Sequence, residues 1–314
     1  MTNAKPLAVA AAQIASVPGD LAANRRKHLD TIDAARAAGV DVLVFPELSL
    51  VGHGAGAETL RLAMSRDDPL LGGIARACGS MCAIVGVIEE APGAQYYNSA
   101  IALRDGAVVA VHRKINLATY GRLEDGKHFA AGRSVAPVAV VGGWRASILI
   151  CADLWNPPLV HLAALQGVTI VLAPVSSAIE AVGDGFDNPG GWEVNLRFHA
   201  LTYGLPVAMA NRVGHEDGLT FWGGSRVLDA FGRTVAKADG PGEALVQARI
   251  DYDDVRRARY LLPTIRDANA TLLSRELARI ARLSPDQDGD GVASRPEAPE
   301  GCRSTTREEC GPRA

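Results

Sequence analysis

Short apolar runs recur along this chain, and segments with helical periodicity separate them. The run at residues 40–45 ends at Phe45 and is followed by Pro46 and Glu47. The run at 168–173 ends just before Pro174. Strands that are apolar throughout are typical of sheets buried on both faces by helices. The alternation continues to about residue 283 without a linker, which predicts one α/β domain over residues 1–283.

Charge and cysteine content exclude several classes of protein. The chain has 314 residues, a formal net charge of −3 and no basic stripe, so we expect no nucleic-acid or membrane partner. The first apolar run, residues 7–12, is too short for a signal sequence or a membrane span and indicates a strand. Five cysteines without regular spacing argue against a disulfide framework, so we expect a reducing, cytoplasmic location.

The composition changes after Leu283 to Pro, Gly, Asp and Glu, which predicts a disordered tail over residues 284–314. Within it, the spacing from Asp286 to Glu297 fits a calcium-binding loop. Pro296 beside the last acid and the lack of an exit helix favour a disordered acidic tail over a calcium site.

Three residues whose side chains could take part in catalysis follow the ends of predicted strands. Glu47 follows the strand at 40–45, Lys114 follows the second arm of a predicted hairpin, and Cys151 follows the run at 145–150. Each has an ordinary alternative: a solvated acid, a solvated cation or a buried inert thiol. Because α/β proteins place their sites at the carboxyl ends of strands, the three together predict an active site.

An acid, a cation and a thiol are the groups that cleavage of an amide requires. A thiol attacks as the thiolate, which a neighbouring lysine favours. A cation or a backbone N–H must hold the oxyanion that forms on the carbonyl oxygen. One carboxylate can protonate the leaving amine and then deprotonate the incoming water.

Three sequence blocks also resemble the nitrilase, or carbon–nitrogen hydrolase, superfamily: residues 42–48, 112–117 and 150–153. The resemblance runs from Leu7 to about Ile250. It implies a four-layer α-β-β-α sandwich and no metal or organic cofactor. It also implies a homodimer, or a larger homo-oligomer, formed through the face near the cysteine.

The resemblance assigns roles to the three residues. Glu47 is the general base and acid, Lys114 steadies the tetrahedral intermediate, Cys151 is the nucleophile, and the backbone N–H of Ala152 completes the oxyanion hole. The fourth acid of the family corresponds to either Asp125 or Glu124, since spacing favours the first and residue type the second.

The residues around the cysteine favour an amide over a nitrile. Nitrile-hydrolysing members usually carry Trp-Glu after the cysteine, whereas this chain has Ala152-Asp153. The stretch from Cys151 to Pro157 resembles the glutamine-hydrolysing domains of NAD synthetases and their stand-alone relatives. Because Glu47 fills the acid role, we expect Asp153 to hold the turn at Cys151 through bonds to backbone N–H groups.

Substrate contacts are predicted in the loops that follow these strands, although ordinary packing is an equal alternative for each residue. The predicted contacts are Tyr120, His128, Trp155, Ser176, Ser177 and Trp192. The Gly-rich stretch 52–57 is interpreted as a flexible ligand-facing loop. It does not follow a strand directly, as a dinucleotide motif does.

Three functions follow from these observations. The first is a thiol amidohydrolase that cleaves a small linear amide through a thioester and releases ammonia and a carboxylic acid. The second is an N-carbamoyl amide hydrolase, which also releases carbon dioxide. The third is a catalytically silent binding protein of the same fold, against which the intact Glu47, Lys114 and Cys151 argue.

Overall fold

The computed structural model describes residues 4–183 and 185–283. The described residues up to Asp267 form one compact unit, and those from Ala268 belong to a second. The strands are β1 Leu7–Gln13, β2 Val42–Val44, β3 Cys82–Ala91, β4 Gln95–Arg104, β5 Ala107–Arg113, β6 Pro137–Ala139, β7 Arg145–Ile148, β8 Ile170–Val175, β9 Val207–Asn211, β10 Val213–Glu216, β11 Leu219–Trp222, β12 Arg226–Leu228, β13 Thr234–Lys237 and β14 Ala244–Ile250. The helices are α1 Leu21–Ala37, α2 Thr59–Leu62, α3 Pro69–Cys78, α4 Asp125–His128, α5 Pro157–Leu165, α6 Asn188–Tyr203, α7 Tyr252–Leu261 and α8 Ala270–Leu283.

Two six-stranded sheets form the centre of the first unit. The first sheet has the order β14-β1-β2-β3-β4-β5, and the second has the order β13-β12-β9-β8-β7-β6. Strands β1, β2 and β3 are parallel, as are β7, β8 and β9, and antiparallel strands flank both sets. The parallel strands β8 and β9 are buried along their whole length, as the sequence predicts.

The two sheets pack face to face, and helices cover their outer faces. Val9 and Val42 of the first sheet share a buried core with Leu172 and Ala208 of the second. Helices α1 and α3 pack on the outer face of the first sheet, and α5 and α6 on that of the second. The four-layer α-β-β-α sandwich expected from the sequence is therefore confirmed.

Helix α6 begins four residues earlier than the predicted segment 192–203. The Asp187 side chain accepts a hydrogen bond from the backbone N–H of Gly190, and Pro189 lies in the first turn. Both features favour a helix start. The hairpin β10–β11 was not predicted, because its strands are only four residues long.

Within residues 4–183 and 185–283, no helix is both long and apolar enough to cross a membrane. The acidic stretch from Asp286 to Glu297 lies outside the described residues. The expected disordered tail and the boundary at residue 283 remain predictions.

Candidate active site

A tight turn after β2 delivers Glu47. The turn places Leu48 at a φ of 51°, a left-handed conformation that is costly for a side chain of this size. A Cβ atom at Gly86 of β3 would lie 2.3 Å from the backbone nitrogen of Leu48. Gly86 therefore allows the turn to lie directly against β3, where the Glu47 side chain is almost fully buried.

Lys114 is held by backbone hydrogen bonds on both sides. Its N–H donates to the carbonyl of Asn98, and its own carbonyl accepts from Gly132, both at 2.8 Å. A Cβ at Gly132 would lie 2.1 Å from the carbonyl oxygen of Arg113, so only glycine fits where this loop before β6 passes Lys114. These contacts fix the direction in which the buried Lys114 side chain leaves the sheet.

Cys151 begins a short 3-10 helix, Cys151–Trp155, that follows β7. Its φ of 45° places it, like Leu48, in the left-handed region. Strained backbone of this kind is concentrated at functional sites. The turn thus presents the thiol at the sheet edge instead of directing it into the core.

The Asp153 carboxylate holds this turn, as the sequence predicts. It accepts hydrogen bonds from the backbone N–H of Ile150 at 3.0 Å and from that of Asn116 at 2.8 Å. His112 Nε2 lies 2.9 Å from its Oδ2 atom. A single buried carboxylate therefore connects the turn of Cys151 to the segment that carries Lys114.

Lys114 and Glu47 form a buried ion pair with a second acid beside it. Lys114 Nζ donates to Glu47 Oε1 and to Asp125 Oδ2, each at 2.6 Å. Glu47 Oε1 also accepts from Asn98 Nδ2 at 2.8 Å, and Oε2 accepts from the backbone N–H of Ser176 at 3.1 Å. Three groups thus restrict the carboxylate to one orientation.

Of the two acids considered for the fourth position, Asp125 contacts the lysine and Glu124 does not. The Glu124 side chain is exposed and pairs with Lys127 at 2.6 Å. Asp125 starts α4, and its carboxylate also accepts from the backbone N–H of Ala118 at 3.2 Å. The shorter acid reaches Lys114 because α4 brings its backbone close.

The charges at the site keep the lysine ionised and the thiol protonated. Burial alone disfavours the Lys114 ammonium, but the charges of Glu47 and Asp125 outweigh it and raise the pKa of Lys114 well above its usual value. Burial and the Glu47 charge raise the pKa of the Cys151 thiol well above its usual value, while Lys114 acts in the opposite direction.

Lys114 therefore favours the Cys151 thiolate, as the sequence predicts, but burial and the Glu47 charge outweigh its effect on the thiol pKa. Two carboxylates already neutralise the lysine charge, and burial disfavours a further anion.

A cavity of about 290 Å³ opens in front of Cys151. Five of the six predicted substrate contacts line it, together with residues that were not predicted. The described lining residues are Tyr120, Leu123, Cys151, Trp155, Ser176, Ser177, Ala181, Val182, Phe186, Asn188 and Trp192. The sixth predicted contact, His128, lines a different cavity of about 280 Å³, which it shares with His53 and Asp125.

His53 was not identified from the sequence, although the Gly-rich stretch contains it. That stretch is a 3-10 helix, His53–Glu58, and not a flexible loop. The Glu216 carboxylate, itself paired with Arg212, accepts hydrogen bonds from the backbone N–H groups of His53 and Gly54. His53 Nδ1 lies 3.1 Å from the Ser176 hydroxyl oxygen, so this anchored turn supports the residue whose N–H binds Glu47.

Asn98, whose side-chain amide donates to Glu47, was not identified from the sequence. No cluster of three or more His, Cys, Asp or Glu side chains in residues 4–183 and 185–283 could hold a metal ion.

A four-layer α-β-β-α sandwich, with a buried glutamate and lysine after strands of one sheet and a partly buried cysteine after a strand of the other, defines a protein of the nitrilase fold. The model of the carbon-nitrogen hydrolase family matches residues 8–260, and the chain belongs to this family of hydrolases of carbon–nitrogen bonds. Amidases are among its relatives.

Two relatives and one solved structure illustrate the similarity. A glutamine-dependent NAD(+) synthetase from Thermotoga maritima is 31% identical over 264 residues, which are 82% of this chain and 44% of that protein. The chain thus spans less than half of the synthetase. An N-carbamoylputrescine amidase from Arabidopsis thaliana is 28% identical over 196 residues, 60% of this chain and 66% of that one.

The solved structure is a double mutant of the amidase from Nesterenkonia sp. AN1 in complex with acrylamide. It is 27% identical, covers 86% of this chain and 97% of its own, and superposes with a TM-score of 0.71.

Proposed function

We propose that the protein is a thiol amidohydrolase that cleaves a small linear amide and releases ammonia and a carboxylic acid. Glu47, Lys114 and Cys151 carry the reaction. The observation that supports this most strongly is the buried Lys114–Glu47 contact of 2.6 Å beside a cysteine that opens onto a cavity. An amide with a small acyl group is a substrate of suitable size.

Acylation begins with proton transfer from the Cys151 thiol to Glu47 as the sulfur attacks the amide carbon. The transfer accompanies the attack because the thiol is protonated in the free enzyme. The new carbon–sulfur bond places negative charge on the carbonyl oxygen, which the Lys114 ammonium and the Ala152 N–H stabilise. Glu47 then protonates the nitrogen, the carbon–nitrogen bond breaks, and ammonia leaves a thioester.

Deacylation uses the same groups in reverse. Glu47 accepts a proton from a water molecule as the water oxygen attacks the thioester carbon. The intermediate collapses with loss of the thiolate, which regains its proton from Glu47, and the carboxylic acid departs. Asp125 stabilises the charged Lys114 through both steps, and its contact with the lysine supports Asp125 over Glu124 as the fourth acid.

The direct test measures ammonia and carbon dioxide release from a panel of amides, nitriles and N-carbamoyl amines. Cys151→Ala serves as the paired variant, and Cys82→Ala serves as a control that removes a buried cysteine outside the site. We expect ammonia without carbon dioxide from one or more amides, and none from Cys151→Ala. Activity that survives Cys151→Ala would contradict the mechanism. If no compound of the panel releases ammonia, the result would support a binding protein without catalytic activity.

An N-carbamoyl amide hydrolase is the second candidate, and the similarity to N-carbamoylputrescine amidase favours it. The same Glu47, Lys114 and Cys151 would cleave the carbamoyl group. Equal release of ammonia and carbon dioxide from a carbamoyl amine would distinguish it.

We further propose a homodimer, or a larger homo-oligomer, formed through helices α5 and α6. Exposed apolar side chains on these helices include Leu162, Val194, Phe198 and Leu201, and Val194 is 71% exposed. Contiguous exposed apolar side chains mark interaction surfaces. Light scattering should give at least twice the chain mass, and Val194→Glu with Phe198→Glu should give the monomer. Leu60→Glu, at an apolar side chain of α2 that is 84% exposed, is the control.

We also propose a cytoplasmic location. Cys78, Cys82 and Cys151 are free thiols, as expected in a reducing compartment. Fractionation of the source cells would test this, and recovery outside the cytoplasm would contradict it.

A further inference from the structure

The walls of the Cys151 cavity are mainly aromatic and apolar. Trp155 packs edge to face on Trp192 with ring centroids 5.3 Å apart, and on Phe186 at 5.9 Å. None of the described lining residues carries a formal charge. Burial raises the pKa of Tyr120 to about 12, so its phenol also stays neutral near pH 7.

The polar side chains of the wall bond mainly to one another. The Ser177 hydroxyl oxygen accepts from Asn188 Nδ2 at 2.9 Å and from Trp192 Nε1 at 3.0 Å, which uses both of its lone pairs. Asn188 Nδ2 also donates to the carbonyl of Ala178 at 2.6 Å. The Ser176 hydroxyl oxygen lies 3.1 Å from His53 Nδ1. The Ser177 lone pairs and the Asn188 amide N–H groups are therefore used within the protein.

Charged side chains line the neighbouring cavity instead. The charged residues that line the second cavity are Arg122, Glu124, Asp125 and Asp217. Arg122 donates to the carbonyls of Asp217 and Gly218. The contrast between the two cavities indicates that an apolar group fits beside Cys151.

We propose that the substrate of this site is an amide with an uncharged, largely apolar acyl group. The inference rests on the proposed amide hydrolysis and names its substrate class. A charged acyl group would lose its hydration against Trp155, Phe186 and Trp192 without gaining an ion pair, which is unfavourable. The cavity of about 290 Å³ exceeds the roughly 150 Å³ that accommodates benzene, so a branched or phenyl-sized acyl group fits.

The test compares three amides that share a four-carbon chain: butyramide, succinamate with a terminal carboxylate, and 4-aminobutanamide with a terminal ammonium. The full-length protein is assayed for ammonia release with each. We expect kcat/KM for butyramide to exceed that of both charged amides by at least about 100-fold, because each carries an unpaired charge into an apolar site. Equal or better turnover of a charged amide by a Cys151-dependent reaction would overturn the inference and leave the proposed function intact.

Protection of Cys151 from alkylation gives a second readout that does not require turnover. Butyramide should slow modification of Cys151 by iodoacetamide, whereas equal concentrations of the charged amides should not. Absence of hydrolysis with selective protection by butyramide would contradict the proposed function but support the apolar site. Equal protection by all three amides would overturn the inference.

A substitution at the cavity edge tests the same idea in the opposite direction. Phe186 is 43% exposed, so Phe186→Arg introduces a cation whose charged end can reach solvent at the cavity edge. We expect the ratio of kcat/KM for succinamate to that for butyramide to rise at least about tenfold, since an opposite charge then faces the carboxylate. The matched variant Phe186→Leu should leave the ratio unchanged. An unchanged ratio in Phe186→Arg would overturn the inference.

Discussion

Lys114 Nζ lies 2.6 Å from Asp125 Oδ2, and the same ammonium lies 2.6 Å from Glu47. One cation is thus shared between two carboxylates in a buried site. Such an arrangement keeps the lysine charged at every step of the reaction, because removal of its proton would leave two adjacent anions.

Asp125→Asn should lower kcat by about 10- to 100-fold. The substitution replaces an ion-paired hydrogen bond, of a kind worth roughly 1.5–3 kcal/mol, by a weaker one from the Lys114 ammonium to an uncharged oxygen. The neighbouring Glu124 provides the matched control, because it pairs with Lys127 at the surface. Glu124→Gln should leave kcat within about twofold of the parent. The reverse order of effects in steady-state assays would mean that Glu124 is the fourth acid.

Glu47→Gln should separate hydrolysis from thiol reactivity. Loss of the general base should lower amide hydrolysis by about 10²- to 10⁴-fold. Alkylation of Cys151 by iodoacetamide at pH 7 should be maintained or become faster, because the Glu47 charge that raises the thiol pKa is gone. Mass spectrometry of the labelled protein over time measures the second rate.

Lys114→Met is the companion variant for that experiment. It removes the cation that lowers the Cys151 pKa, so alkylation should become slower than in the parent. Faster alkylation in Lys114→Met, or slower alkylation in Glu47→Gln, would contradict the electrostatic account of the thiol.

Asp153→Asn should weaken both stability and catalysis. The carboxylate accepts from Ile150, Ile115 and Asn116 and contacts His112, and an amide offers only one oxygen for these donors. We expect the free energy of unfolding to fall by about 1–3 kcal/mol in urea titrations. The value of kcat should also fall in protein that remains folded, because the turn of Cys151 loses its link to Lys114. Unchanged kcat would show that this link is not needed.

Stability should decrease in acid partly through Glu89. This buried carboxylate binds Arg113, Ser99 and Arg66, and these contacts overcome burial and lower its pKa from 4.5 to about 2. Because the folded-state pKa is depressed, its stabilisation is fully present above pH 4.5 and is lost as the pH falls towards 2.

Glu89→Gln isolates this contribution. The difference in unfolding free energy between parent and variant should reach up to about 3 kcal/mol at pH 7 and should shrink steadily between pH 4.5 and pH 2. Urea titrations at four pH values measure it. A difference that stays constant with pH would exclude titration of Glu89 as its cause.

The positions of the three proposed catalytic residues could be predicted because each follows a recognisable strand. The apolar runs before Glu47 and Cys151 locate those residues at sheet edges, and the hairpin before Lys114 has an Asp-Gly turn. The role of Asp153 followed once Glu47 had filled the acid role. Local pattern is sufficient for these features, because strand ends and turns are local.

Other parts of the site depend on contacts between distant segments. Asp125 and Glu124 are adjacent in sequence, and only the backbone path of α4 determines which one reaches Lys114. His53 contacts Ser176, which lies 123 positions further along the chain. Glu216, paired with Arg212, holds the His53 backbone in place. The protonation of Cys151 depends on burial and on the charges of Glu47 and Lys114, which strand positions do not reveal.

The central claim, that the Cys151 sulfur forms a thioester with the substrate, is tested most directly by acid quenching during turnover and mass spectrometry of the protein. With butyramide, we predict a butyryl adduct on the peptide that contains Cys151, which appears within the first turnover and decays when substrate is exhausted. Cys151→Ala should give no adduct at any residue. Steady hydrolysis by the parent without an adduct, or an adduct that persists in Cys151→Ala, would contradict the account.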